Sequence, residues 1–109
     1  MPLLRTNVEA DAYEPLQPYN ERFHYLTRIG EAGRPFRAGF VIAEPQTDVV
    51  DEDPVDGAIF VLEGEARVET VDGEVIVLKP GDFVSFERGV KQTWEIVTRF
   101  KAVVFFLSR

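Results

Sequence analysis

The densest run of chemistry-bearing side chains in this sequence is Asp48-Val49-Val50-Asp51-Glu52-Asp53-Pro54-Val55-Asp56. Carboxylates at Asp51 and Asp53, joined by the amide of Gln92, would offer hard oxygen donors to magnesium, manganese or calcium, with water completing the shell. Held close together, the two carboxylates would instead share a proton, so that one stays protonated and serves as general acid or base. The same run also reads as a solvated loop whose like charges stay apart. His24 is the only side chain in the chain whose ordinary titration falls near neutrality. Its face of the surrounding pattern carries Arg22 and Arg28, a polar set that meets water more readily than an interior.

Gln92, Trp94 and Ile96 are spaced two apart and so share one side of a strand. An aromatic floor with one amide, rimmed by carboxylates, suits a small neutral or cationic organic ligand. The competing expectation is that Trp94 and the nine Phe simply fill the interior.

Composition removes other chemistries. The 109 residues contain no Cys and one His, which excludes disulfides, thiolate nucleophiles, iron–sulfur clusters and any metal centre built on several histidines. Nineteen acidic against twelve basic residues give a net charge of -7, the wrong sign for phosphate backbone or anionic lipid. From Ala38 to Ala66 there are eight acids and no Lys or Arg, so the acidity is concentrated around the run described above. The apolar start breaks at Arg5, leaving neither a signal-type hydrophobic stretch nor a span, and the expected location is the cytoplasm. No triad order, Walker loop or glycine-rich dinucleotide fingerprint occurs.

The elements that must position these residues are strands. Pro2, Pro15 and Pro18 mark residues 1–21 as an irregular arm. From Arg22 to Ile29, Phe23, Tyr25, Thr27 and Ile29 alternate with Arg22, His24, Leu26 and Arg28, the period of a half-buried strand. Glycines then recur at 57, 64, 73, 81 and 89, with runs rich in Val, Ile and Phe between them, which predicts successive antiparallel strands. These are placed at Phe40–Ala43, Ala58–Leu62, Ala66–Val71, Val75–Leu78, Phe83–Phe86, Gln92–Val97 and Ala102–Leu107. The last is apolar at every position, so it must lie centrally with both faces covered, the outer one by the N-terminal segment or, more economically, by a second subunit.

Three motifs in order, Phe60-Val61-Leu62-Glu63-Gly64-Glu65, Leu78-Lys79-Pro80-Gly81-Asp82-Phe83-Val84 and Gly89-Val90-Lys91-Gln92-Thr93-Trp94-Glu95, make the stretch from Phe36 to Leu107 resemble the cupin family of small jelly-roll barrels. Within it, the chain is similar to the short single-domain branch ending in Gly-x-x-x-Thr-Trp-Glu, whose members include ethanolamine-utilisation proteins and a ureidoglycine aminohydrolase. Cupins usually hold a metal through two His separated by one residue, a Glu and a further His. Carried over motif by motif, the Glu position falls on Gly57, the paired His positions on Asp51 and Asp53 (or Val50 and Glu52), and the last on Gln92. The resemblance therefore implies the barrel but not its metal or the dioxygen chemistry that needs one.

The resulting expectation is an all-β, single-domain cupin-type jelly roll over residues 22–109, forming a homodimer. It would use no cofactor and bind a small molecule at a barrel mouth made by Asp51, Asp53, Gly57, Gln92 and Trp94. A small metabolic enzyme with Asp51 or Asp53 as base or metal ligand, and a filled barrel acting only through its dimer surface, are the alternatives. No catalytic residue is assigned.

Overall fold

A computed structural model of the protein describes residues 14–15, 23–29, 36–50 and 55–107, the first two stretches as backbone only. Ten strands follow in order: β1 Glu14–Pro15, β2 Phe23–Ile29, β3 Phe36–Ala43, β4 Gln46–Val50, β5 Asp56–Glu63, β6 Ala66–Thr70, β7 Val75–Leu78, β8 Phe83–Phe86, β9 Gln92–Ile96 and β10 Phe100–Leu107. They form a six-stranded sheet in the order β1-β2-β3-β10-β5-β8 and a four-stranded sheet in the order β4-β9-β6-β7. All pairings are antiparallel. Among the described residues there is no helix, hence none long and apolar enough to cross a membrane.

The two sheets face each other because most of their strands turn apolar positions inward. The large sheet contributes Val41 and Ala43, Ile59 and Val61, and Phe100, Ala102, Val104 and Phe106 to the core; the small sheet contributes Ala66, Val68, Leu78, Trp94 and Ile96. β10 lies between β3 and β5, as its continuous apolar run requires.

The hairpins are made where the turn motifs stand. In Lys79-Pro80-Gly81-Asp82 the Asp82 amide donates to the Lys79 carbonyl (3.0 Å) and Gly81 has φ 95°, the geometry of a Pro-Gly type II turn. The Asp82 carboxylate accepts the Lys79 N–H at 2.8 Å, and Val61 exchanges two 2.9 Å bonds with Gly81 and Asp82, tying the turn to β5.

The structure departs from the sequence expectations at three places. The run from Asp48 was expected to be solvated loop, yet Gln46–Val50 is a strand paired along its length with β9. Its inward positions are Gln46, Asp48 and Val50, a polar inner face that conceals the hydrophobic period. β3 begins at Phe36, four residues before the expected Phe40. Within the segment read as an irregular arm, Glu14–Pro15 pairs with β2.

Candidate functional site

The chain path puts one end of the barrel in charge of the polar residues. β4 ends at Val50 and β5 begins at Asp56, β6 ends at Thr70, and β9 starts at Gln92 after the turn that follows β8, so these termini lie together. Across the small sheet the inner face at this end carries the row Val50, Gln92, Thr70, and below it the row Asp48, Trp94, Val68, Ile76. Across the large sheet the corresponding row is Arg37, Phe106, Gly57, Phe86.

Trp94 and Gln92 are both buried, and the indole Nε1 donates to Gln92 Oε1 at 3.0 Å. This bond satisfies a donor that would otherwise be stranded in the core and fixes which way the amide faces. The Trp94 ring also meets Phe100 edge-on, with centroids 6.3 Å apart and planes at 71°. Beneath the mouth, Val61, Val104, Phe100 and Ile96 close the barrel.

Gly57 faces Phe86 directly across the β5–β8 pair, and a Cβ at Gly57 would overlap the Phe86 ring. Gln92 of the small sheet and Gly57 of the large sheet thus both stand at this end of the barrel, with Phe86 lying over Gly57. Asp51 and Asp53 lie outside the described residues, and so does the side chain of His24. Asp56, the last acid of the run, accepts the Arg88 N–H at 2.7 Å and holds the start of β5 to the turn before Gly89.

Three residues of the mouth escaped the sequence reading. Asp48 is on the inner face beside Trp94, and Arg37 is on the inner face opposite Phe106; the strands that place them were respectively missed and begun too late. Thr70, beside Gln92, has a buried Oγ1 with no hydrogen-bond partner among the described residues. A shallow open depression of about 240 Å³ runs over this rim, lined by Val49, Val50, Glu69, Thr70, Lys91 and Gln92 among others. Of the expected site residues, Gln92 reaches it.

The chain belongs to the cupin family: the family model described as Cupin domain matches residues 38–107. No curated protein matches its sequence. Among solved structures it is similar over the whole length of both chains to a protein of unknown function from Rhizobium leguminosarum bv. viciae 3841, with 25% identity and a TM-score of 0.73. An RmlC-like cupin from Shewanella frigidimarina NCIMB 400 aligns at 17% identity and a TM-score of 0.73, covering 95% of this chain and 89% of the other. A protein assigned to ethanolamine utilization (protein Q) in Salmonella typhimurium LT2 aligns at 22% identity and 0.66, covering 78% and 68%.

The metal usual in cupins does not fit the described positions. Gly57 has no donor and Phe86 fills the space a carboxylate there would need. Gln92 presents an amide whose oxygen accepts from the Trp94 indole. Among the described residues no three His, Cys, Asp or Glu side chains come together where they could hold a metal ion.

Proposed function

We propose that this protein binds a small polar organic molecule at the mouth of its barrel, without a tightly held transition metal. The observation that carries this reading is the Thr70 hydroxyl, buried on the rim beside Gln92 without a hydrogen-bond partner among the described residues. A buried hydroxyl left unmatched costs free energy unless something supplies the missing bond, and a bound polar molecule does so.

The surroundings define what such a molecule looks like. Among the described residues the inner face carries one guanidinium, Arg37, and one carboxylate, Asp48, groups that suit a polar ligand able to meet both signs. The rim depression, about 240 Å³, is lined by the charged Glu69 and Lys91 as well as by Thr70 and Gln92, the scale of a small ligand, while the rings of Trp94, Phe86 and Phe106 pack in the barrel's core. A second reading, catalysis, draws support from Asp48, the one carboxylate that the described strands place on the inner face; an Asp48→Asn variant that binds normally but does not turn over would separate the two.

The test is a thermal-shift and tryptophan-fluorescence screen with small amines, amino acids and hydroxy acids, run beside manganese, iron(II) and zinc. A binding compound is expected to raise Tm in the native protein and to lose that effect in Thr70→Val and Gln92→Leu, while the metals leave Tm unchanged. Stoichiometric metal retained by the purified protein, or ligand responses equal in both variants, would overturn the reading.

A further inference from the structure

The depression over the rim brings opposite charges into one small space. Cross-strand pairing sets two rows over the ends of β4, β9 and β6: Val49, Thr93 and Glu69 on the outer side, and Val50, Gln92 and Thr70 on the inner side. Lys91 enters from just before β9 and Val71 from just after β6, and all of these line the same hollow. Lys91 and Glu69 are exposed, and neither forms an ion pair among the described residues. An ammonium and a carboxylate that share a hollow without meeting can each be matched by a ligand that carries both signs.

The inner row decides which end of that ligand goes where. An indole N–H can only donate, so the 3.0 Å contact from Trp94 Nε1 requires the oxygen of the Gln92 amide. What the amide offers beyond Trp94 is its NH2, a donor. Beside it stands the buried Thr70 hydroxyl, without a hydrogen-bond partner among the described residues, and a hydroxyl donates as readily as it accepts. With the Lys91 ammonium these groups meet the needs of a carboxylate, whose oxygens only accept. Glu69, on the outer row, is the acceptor for an ammonium. Val49 and Val71 are 63% and 76% exposed, apolar surface that gains by being covered with an aliphatic group.

We infer that the rim site takes a small α-amino acid with an aliphatic side chain. Its carboxylate is held by Lys91, Gln92 and Thr70, its ammonium by Glu69, and its side chain lies against Val49 and Val71. A plain acid leaves Glu69 facing a like charge, and a plain amine does the same to Lys91; a compact zwitterion satisfies both within a hollow of about 240 Å³. The inference rests on the binding reading above and adds the chemical class of the ligand.

The probes are L-valine and relatives that each lack one feature: isovalerate without the ammonium, isobutylamine without the carboxylate, and glycine without the side chain. Binding to the full-length chain is measured by titration calorimetry, with inositol as an uncharged polar comparison. Valine is expected to bind, and each relative to bind about tenfold or more weakly than valine. Lys91→Met and Glu69→Gln should each weaken valine binding about tenfold, whereas Lys91→Arg, which keeps the charge, should retain it. Because both positions are exposed, the unfolding midpoints of these variants should match the native protein. Isovalerate or isobutylamine binding as tightly as valine, or valine binding untouched by both Lys91→Met and Glu69→Gln, would overturn the inference. Inositol binding that is lost in Thr70→Val, with no response to valine, would overturn it and leave the broader binding reading standing. No response to any of these compounds or to the screened amines, amino acids and hydroxy acids would overturn both.

Discussion

The ring of Phe86 lies in the space that any side chain at Gly57 would have to enter. The pair is matched in register across β5 and β8, so a side chain at position 57 and the Phe86 ring compete for one space. Gly57→Ala is expected to cost about 1–3 kcal/mol through overpacking. Adding Phe86→Leu should recover part of that loss, giving a coupling of about 0.5–3 kcal/mol in a double-mutant cycle of urea midpoints. Strictly additive costs would show that the ring moves aside freely.

Trp94 is the only tryptophan, and its indole is buried against Gln92 and Phe100. Its emission should therefore be blue-shifted and resist acrylamide quenching. Gln92→Leu removes the acceptor and is expected to destabilise the fold by about 1–3 kcal/mol, the cost of stranding a buried donor. The same variant should change the emission maximum.

Two positive-φ glycines should respond very differently to alanine. At Gly64, φ is 89° and a Cβ would run into the backbone carbonyl of Arg99; at Gly73, φ is 85° and nothing lies within 4 Å. Gly73→Ala carries only the left-handed backbone penalty, about 1 kcal/mol. Gly64→Ala must also push two backbone segments apart and is expected to cost at least about 3 kcal/mol, read from thermal or urea unfolding.

The ion pair between Arg99 Nε and Glu44 Oε1 spans 3.3 Å with both side chains about half exposed. Glu44→Gln should change stability by less than about 1 kcal/mol, and less still in high salt. Val61→Ala, at a fully buried position, should cost about 2 kcal/mol from lost methyl burial and the cavity left behind. Unfolding midpoints of the two variants at low and high salt check both numbers.

The strands that sequence made legible were those with a clean apolar period and glycine-marked turns. β7 and β8 were placed residue for residue, and β10 was put in the interior of its sheet because no position from Ala102 to Leu107 is polar. β4 was not legible. Its inner positions Gln46 and Asp48 are polar and its outer position Val49 is apolar and exposed, the reverse of the usual signal, and that inversion is itself a mark of the mouth. Gln92 and Trp94 were found because an alternating pattern assigns them one face. Arg37 and Thr70 were not, since a guanidinium or a hydroxyl at a strand end looks like surface until the opposite wall is known.

The position of β10 also governs how the molecule can be made. Its partners β3 and β5 precede it by dozens of residues, and it separates them within the sheet. Until residues 100–107 leave the ribosome, β3 and β5 each present an unpaired hydrogen-bonding edge, the kind that nascent chains recruit into aggregates. The larger wall of the vessel is therefore completed only after synthesis of β10, through pairings distant in sequence, and in that interval the two open edges are the points at which the nascent chain is most exposed to mispairing.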